Sequence, residues 1–184
     1  RGLGDVYKRQ VFLGNSITAE GKDWSERLSY PNIKNRGIGG DVTAGVLARI
    51  DEITYFKPKA VFLLIGINDL WNNTPNVPSV EYISSNIIKI SNVINKISPN
   101  TKIYIQTILP VEKEVYKENI ISINSILKQA QNKNPYKIID LYSVFVNDLG
   151  AIKSDLSTDG IHLSEKGYDV WTNFIKPTIL SMKQ

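Results

Sequence analysis

Residues 60–65, with the sequence AVFLLI, restrict the possible folds more than any other segment of this chain. The run has no polar position, so it does not match a strand with one face in water, and it is far too short to cross a membrane as a helix. An unbroken apolar strand is typical of a parallel sheet that helices cover on both faces. The segment therefore predicts that the chain folds around such a sheet.

Further short runs predict strands, most of them apolar or β-branched, while residues 33–36 (IKNR) carry a weaker signal. Together with residues 60–65 there are five strand segments, and the remaining ones are residues 11–13, 33–36, 102–108 and 136–141. Between them, apolar residues spaced three and four apart predict amphipathic helices. Helices are predicted over residues 43–55, 80–97, 116–130 and 164–176. Asp41 or Thr43 is expected to cap the first helix, and Pro177 is expected to end or kink the last. Strands alternating with helices predict βαβ units and an α/β fold.

The first ten residues, RGLGDVYKRQ, differ in character from the rest of the chain. Their back-translation resembles a sequencing-library adapter read through in frame, so residues 1–10 are interpreted as a non-native, dispensable segment. The alternative is a native N-terminal arm. Residues 11–184 have the length and composition of one globular domain.

Charge and composition narrow the range of functions. The net charge is +4, but three basic residues against Asp5 give the first ten residues +2, so the remainder carries only +2. Nucleic acid is therefore not an expected partner. No apolar run approaches the roughly 20 residues of a membrane span. The chain has no cysteine and one histidine, His162, which excludes a thiolate nucleophile and argues against a zinc site.

Glycine and polar residues follow several of the predicted strands. These segments are residues 14–16, 37–41, 66–69 and, well beyond the fifth strand, 159–162. In an open parallel sheet, ligands bind beyond the carboxyl ends of the strands. We therefore expect one edge of the sheet to collect Ser16, Gly40, Asn68, Asp159 and His162.

These residue types suit acyl transfer through a serine. A serine hydroxyl needs an adjacent base, and His162 is the only side chain whose ordinary chemistry provides one near neutral pH. Asp159, three residues earlier across Gly160, can accept a hydrogen bond from the imidazole and orient it. The backbone N–H groups of Ser16 and Gly40 and the side-chain amide of Asn68 are candidate donors to an oxyanion. Gly39 is an open alternative to Gly40.

Three segments carry a family resemblance. The sequences VFLGNSIT, LLIGINDL and DGIHLSEKGY resemble those of the SGNH (GDSL-type) hydrolases, and the similarity runs from residue 11 to about residue 171. The resemblance implies a flavodoxin-like three-layer α/β/α sandwich with a five-stranded parallel sheet. It also implies ester hydrolysis without a metal or other cofactor. The family's functional residues fall on Ser16, Gly40, Asn68 and His162, with Asp159 as the aspartate partner.

The chain departs from the family at Asn15, where aspartate is more common, and we expect only a structural or tuning effect there. Asp41 and Asp69 are interpreted as structural residues that bond loop backbone. Taken alone, Ser16 would be a turn serine and His162 a solvated histidine, so the assignment depends on the whole set. Residues 125–128 match the S-x-x-K nucleophile pattern, but they lie within a predicted helix without its partner motifs and are interpreted as a solvated helix face.

Taken together, these features predict a serine esterase acting on a small-molecule ester, with acetyl or another short acyl group on a carbohydrate or other water-soluble alcohol. Lysophospholipase, thioesterase and acyltransferase activities are alternatives on the same fold, and a non-catalytic ligand-binding domain is an alternative of another class. Candidate substrate contacts are Trp71, Leu109 and Val111. Trp71 is expected either as an exposed platform for a sugar ring or packed under the loop from Pro75 to Pro78. Polar residues expected around the site are Thr18, Glu20, Lys22, Asn72, Asn73, Thr74 and Asn76.

Overall fold

The computed structural model describes residues 9–71 and 77–183. Within these residues, parallel strands form one five-stranded sheet in the order β2-β1-β3-β4-β5. The strands are β1 (Gln10–Gly14), β2 (Ile33–Gly37), β3 (Ala60–Leu64), β4 (Lys102–Gln106) and β5 (Lys137–Ile139). This is the flavodoxin-like order, and the predicted α/β fold with a five-stranded parallel sheet is confirmed.

Helices form a layer on each side of this sheet. They are α1 (Ser16–Ala19), α2 (Trp24–Leu28), α3 (Thr43–Ala48), α4 (Asp51–Thr54), α5 (Ile67–Trp71), α6 (Val80–Ile97), α7 (Lys117–Ala130), α8 (Leu141–Phe145) and α9 (Glu165–Leu180). Helix α6 packs against α3, α4 and α7, whereas α9 packs against α2 and α8. Strand β3 is buried along its whole length, as a strand between two helical layers must be.

A column of aromatic rings supports the strands beneath α1 and α2. Phe12 of β1 stacks on Trp24 and on Phe62, with ring centroids 4.3 and 4.9 Å apart. Trp171 of α9 meets Trp24 edge to face at 4.7 Å. Buried aromatic pairs of this kind contribute about 0.5–1.5 kcal/mol each beyond the area they bury. The column therefore gives a rigid base to the end of β1, where the candidate nucleophile lies.

The last two residues of the N-terminal segment, Arg9 and Gln10, make backbone hydrogen bonds with the sheet region. Gln10 is the first residue of β1, it is fully buried, and its N–H donates to the Asn32 carbonyl at 3.2 Å. The Arg9 carbonyl accepts a hydrogen bond from the Lys59 N–H at 2.8 Å. Backbone pairing does not depend on side-chain identity, so the sheet incorporates these two residues whatever their origin. Residues 1–8 lie outside the described part of the chain.

Gln10 is poorly suited to its position, which leads to a prediction about stability. Neither polar atom of its side-chain amide has a hydrogen-bond partner among the described residues. A buried polar group without a partner costs about 1–3 kcal/mol. Replacing Gln10 with leucine should raise the Tm by about 2–4 °C for each kcal/mol recovered, as measured by calorimetry. The control Gln10→Glu should lower the Tm, and a Gln10→Leu variant that melts below wild type would contradict the prediction.

Two predicted helices differ from those observed. The helix expected over residues 43–55 is divided into α3 and α4, and neither Asp41 nor Thr43 supplies a side-chain cap. The last helix does not end at Pro177 but continues to Leu180. Ile175 and Ile179 are fully buried on either side of the proline, and their packing holds the final turn despite the missing N–H.

Candidate active site

Ser16 is the first residue of α1, directly beyond the carboxyl end of β1. The preceding residue, Asn15, caps this helix by accepting a hydrogen bond from the Ile17 N–H at 3.1 Å. The helix is anchored from both sides, because Tyr168 donates to the Ile17 carbonyl at 2.7 Å and Trp24 donates to the Thr18 carbonyl at 3.1 Å. Ser16 is therefore half-buried on a fixed support.

The start of α1 requires a close approach between neighbouring segments. A Cβ at Gly14 would lie 2.3 Å from the Leu64 carbonyl oxygen and 2.3 Å from the Thr18 hydroxyl. Any larger residue at position 14 would push β1 away from β3 or displace α1. Asn15 is buried, and its side-chain NH₂ group has no partner among the described residues. Its role in this structure is that of a helix cap.

His162 lies between Ser16 and Asp159. Its Nε2 is 3.0 Å from the Ser16 hydroxyl oxygen, and its Nδ1 is 2.7 Å from Asp159 Oδ2. The other carboxylate oxygen of Asp159 accepts from the backbone N–H groups of Ile161, at 2.9 Å, and His162, at 2.7 Å. The tight turn passes through Gly160, whose φ of +86° favours glycine. The structure thus brings together the three side chains predicted to form a triad.

Asp159 is held in its ionised form. Partial burial raises the pKa of its carboxyl, but hydrogen bonds from the His162 side chain and from the backbone N–H groups of His162 and Ile161 outweigh that effect and lower the pKa to about 2. A carboxylate that stays charged at neutral pH can fix the orientation of the imidazole and stabilise an imidazolium.

The candidate oxyanion donors lie on three different segments. Ser16 opens a helix, so its N–H has no intrahelical acceptor. In the described part of the chain, the N–H groups of Gly39 and Gly40 also have no acceptor. Gly40 has a φ of +76°, a conformation that few other residues adopt. Asn68 uses one amide hydrogen to donate to the Asp41 carbonyl at 2.9 Å, which leaves the second hydrogen available.

Arg49 joins the glycine-containing loop after β2 to the end of β1. Its guanidinium donates to Asp41 Oδ2 at 2.7 and 2.9 Å, to the Gly14 carbonyl at 3.3 Å and to the Arg36 carbonyl at 3.0 Å. Such forked contacts constrain geometry more tightly than a single hydrogen bond does. Asp41 has the structural role predicted for it, since it holds the loop that contains Gly40.

Asp69 fixes the same loop from the other side. Its buried carboxylate accepts from the Thr43 hydroxyl at 2.6 Å and from the Thr43 N–H at 2.9 Å. Burial raises the pKa of Asp69, and the hydrogen bonds from Thr43 oppose that rise. Asp69 thereby provides the cap of α3 that neither Asp41 nor Thr43 supplies. Because Asp69 follows Asn68 directly, this contact also holds Asn68 next to the loop.

The predicted substrate contacts have a different environment from the one expected. Trp71 is half-buried and stacks on Tyr116 with ring centroids 4.9 Å apart, while Lys113 Nζ lies 4.1 Å from the centroid of its ring. It is therefore not a bare platform. Leu109 and Val111 are only 2% and 5% exposed, so they offer little surface to a substrate.

The polar rim expected around the site is described only in part. Thr18 is buried, whereas Glu20 and Lys22 are exposed. The four polar residues predicted on the other side lie outside the described residues: Asn72, Asn73, Thr74 and Asn76.

Two residues near the site had not been singled out as individual contributors. Arg49 carries no motif that would identify it. Glu20 approaches His162 with Oε1 3.9 Å from Nε2, and it lies four residues after Ser16. Residues four apart lie on the same face of a helix, so predicting the short helix α1 would have placed Glu20 beside Ser16.

Metal-ligand clusters and membrane-spanning helices are both absent from residues 9–71 and 77–183. No group of three or more His, Cys, Asp or Glu side chains in the described ranges is arranged to hold a metal ion. None of the helices described is both long enough and apolar enough to cross a bilayer.

Comparisons with known proteins show the family and the fold of this chain. The model of the GDSL-like lipase/acylhydrolase family matches residues 12–170. The chain is 28% identical over 166 residues to platelet-activating factor acetylhydrolase IB subunit alpha1 of Rattus norvegicus, covering 86% of this chain and 69% of the relative. A structure from Bacteroides fragilis described as an acylhydrolase superposes with a TM-score of 0.82 at 28% identity, covering 96% of this chain and 88% of the other. A GDSL-like lipase from Bacteroides thetaiotaomicron gives a TM-score of 0.77 at 26% identity, covering 96% and 89%.

Proposed function

Because the chain belongs to the GDSL-like lipase/acylhydrolase family and is a carboxylic ester hydrolase, we propose that Ser16, His162 and Asp159 catalyse the hydrolysis of short-chain acyl esters. The resemblance identified from the sequence is thus confirmed at the level of the family. The observation that carries the assignment of residues is the continuous hydrogen-bonded line from Ser16 Oγ through the imidazole to Asp159, with distances of 3.0 and 2.7 Å.

The proposed reaction passes through an acyl-serine. His162 Nε2 accepts the hydroxyl proton as Ser16 Oγ attacks the ester carbonyl, and the imidazolium then donates that proton to the leaving alcohol. Asp159 keeps Nδ1 protonated and so leaves Nε2 free to act as the base. Water attacks the acyl-serine in the second half of the reaction, with His162 again as the base. No step uses a metal or an organic cofactor.

The developing oxyanion is proposed to bind where Ser16, Gly40 and Asn68 present their donors. Such donors stabilise the transition state most when they are already in place before the reaction. The contacts of Arg49 with Asp41 and of Asp69 with Thr43 support this proposal, because they hold the two loops that carry Gly40 and Asn68.

The acyl group is proposed to be acetyl, and the alcohol to be a polar molecule such as a carbohydrate. The relative from Rattus norvegicus bears the name of an acetylhydrolase, which supports the acyl half. A cavity of about 320 Å³ supports the alcohol half, because charged side chains line it together with apolar ones. Its lining includes Glu112, Lys117 and Leu149. The Glu112 N–H donates to the Gly160 carbonyl at 2.9 Å, so this cavity adjoins the turn that carries His162.

A series of p-nitrophenyl esters from acetate to laurate tests the acyl half. The value of kcat/KM should be highest for acetate and should fall as the chain lengthens, because each methylene contributes about 0.8 kcal/mol only where an apolar surface buries it. Acetylated sugars should also be hydrolysed. A maximum at eight carbons or more would contradict the short-acyl proposal and favour a lysophospholipase or thioesterase. Hydrolysis of acetate esters without turnover of any acetylated sugar would contradict only the carbohydrate half.

A further inference from the structure

Glu20 stands beside the nitrogen that the reaction uses. Its Oε1 lies 3.9 Å from His162 Nε2, and the same Nε2 is 3.0 Å from the Ser16 hydroxyl. The Glu20 N–H donates to the Ser16 carbonyl at 2.8 Å, which closes the turn of α1 and fixes the position of the backbone. Its side chain is 52% exposed and, within residues 9–71 and 77–183, forms no ion pair apart from this approach to His162. Glu20 is therefore a free carboxylate at the mouth of the site.

The chemistry of the proposed function places the leaving alcohol next to this carboxylate. His162 Nε2 must donate its proton to the alcohol oxygen, so that oxygen comes within hydrogen-bond distance of Nε2. The carbonyl oxygen points instead towards Gly40 and Asn68. The first carbon atoms of the alcohol, those next to the ester oxygen, therefore lie close to Glu20.

We propose that Glu20 accepts a hydrogen bond from a hydroxyl on the carbon adjacent to the ester-bearing carbon, so that the enzyme prefers esters of vicinal diols and polyols. This inference rests on the proposed function and narrows its substrate class. The oxygens of a gauche vicinal diol are about one hydrogen-bond length apart. One oxygen can therefore bond to Nε2 while its neighbour bonds to a carboxylate oxygen 3.9 Å away. A quaternary ammonium group at the same carbon fits less well, because its methyl groups hold the charge away from the carboxylate.

The test compares two esters that differ in one hydrogen-bond donor. The esters are 2-hydroxyethyl acetate and 2-methoxyethyl acetate, whose alcohols have similar leaving-group chemistry. The ratio to measure is kcat/KM for 2-hydroxyethyl acetate divided by kcat/KM for 2-methoxyethyl acetate. This ratio should be about tenfold higher in the wild-type enzyme than in Glu20→Ala, as expected for one hydrogen bond to an exposed carboxylate. The Glu20→Gln variant keeps a neutral acceptor and should give an intermediate ratio. Glu118→Gln removes a carboxylate from α7 and should leave the ratio at its wild-type value.

Other outcomes would overturn the inference. If Glu20→Ala slows both esters equally, Glu20 acts through His162 and not on the alcohol. A second pair of esters, acetylcholine and 3,3-dimethylbutyl acetate, differs only in the positive charge. If Glu20→Ala changes the kcat/KM ratio of this pair more than that of 2-hydroxyethyl and 2-methoxyethyl acetate, Glu20 recognises a cation instead of a hydroxyl. Hydrolysis of p-nitrophenyl acetate separates this inference from the proposed function. If the wild-type enzyme hydrolyses p-nitrophenyl acetate but Glu20→Ala leaves the ratio for the two acetate esters unchanged, only the role of Glu20 is overturned. If the wild-type enzyme does not hydrolyse p-nitrophenyl acetate, the proposed function and the role of Glu20 are both overturned.

Discussion

Substituting Ser16→Ala should lower kcat by at least about 10³-fold while the protein keeps its fold. The expected loss is large because the acyl-serine cannot form without the hydroxyl, and the oxyanion donors alone provide only residual catalysis. The fold should survive because alanine retains helix α1 and the hydroxyl makes no contact other than that with His162 among those observed. Initial rates on p-nitrophenyl acetate would be measured alongside the Tm and the circular dichroism spectrum.

The matched control for this experiment is Ser125→Ala. Ser125 belongs to the S-x-x-K segment, and in the structure its hydroxyl accepts a hydrogen bond from Gln129 at 3.2 Å on the surface of α7. The Ser125→Ala variant should retain full activity. In the wild-type enzyme, a sulfonyl fluoride should label Ser16 and not Ser125. EDTA should leave the wild-type rate unchanged, because no proposed step uses a metal. The mechanism would be refuted if Ser16→Ala kept more than a tenth of wild-type activity. It would also be refuted if EDTA abolished the activity of the wild-type enzyme and a divalent ion restored it.

Substituting Asn68→Ala should lower kcat by about 10²–10³-fold with little change in KM. The second amide hydrogen of Asn68 is proposed to bind the oxyanion, whose charge develops only as the transition state forms. The substitution also removes the hydrogen bond to the Asp41 carbonyl, which could shift the loop that contains Gly40. A control must therefore disturb the same loop without removing a donor to the substrate.

Asn86→Ala meets that requirement. Asn86 donates to the Thr43 hydroxyl at 3.1 Å and so belongs to the network that holds the loop. This variant should keep kcat close to that of the wild type even if its Tm falls. Equal losses in the two variants would mean that Asn68 acts only through the loop. A change in KM alone for Asn68→Ala would make its amide a ground-state contact.

The residues that the structure brings together at the candidate site could be picked out from the sequence because the relevant signals are local. Glycine and polar residues follow strands β1, β2 and β3, and parallel strands must bring their carboxyl ends to the same edge of the sheet. Asp159 and His162 are three positions apart on one tight turn, so their spacing alone favours a contact. The family resemblance then indicated how this turn, far along the chain, faces Ser16.

The contacts that hold the site depend on residues distant in sequence. The Thr43 N–H at the start of α3 receives its cap from Asp69, and Arg49 at the C-terminal end of α3 reaches Asp41, Gly14 and Arg36. No local propensity predicts such pairs, because each forms only after β1, β2 and β3 have assembled. The stacking of Trp71 on Tyr116 was not foreseen for the same reason, since Tyr116 comes from a segment beyond β4.

The sequence by itself therefore determined the α/β class, the parallel sheet and the set of residues at its carboxyl edge, because apolar runs and strand-end glycines act over a few residues. Only the tertiary structure decided where β1 begins, how far α9 continues past Pro177 and which carboxylate stands beside His162. Backbone pairing incorporated Gln10 regardless of its side chain, and buried packing carried α9 through its proline. The short helix α1 turned Glu20 towards Nε2, an outcome set by anchors from Trp24 and Tyr168 and not by the sequence of α1 itself.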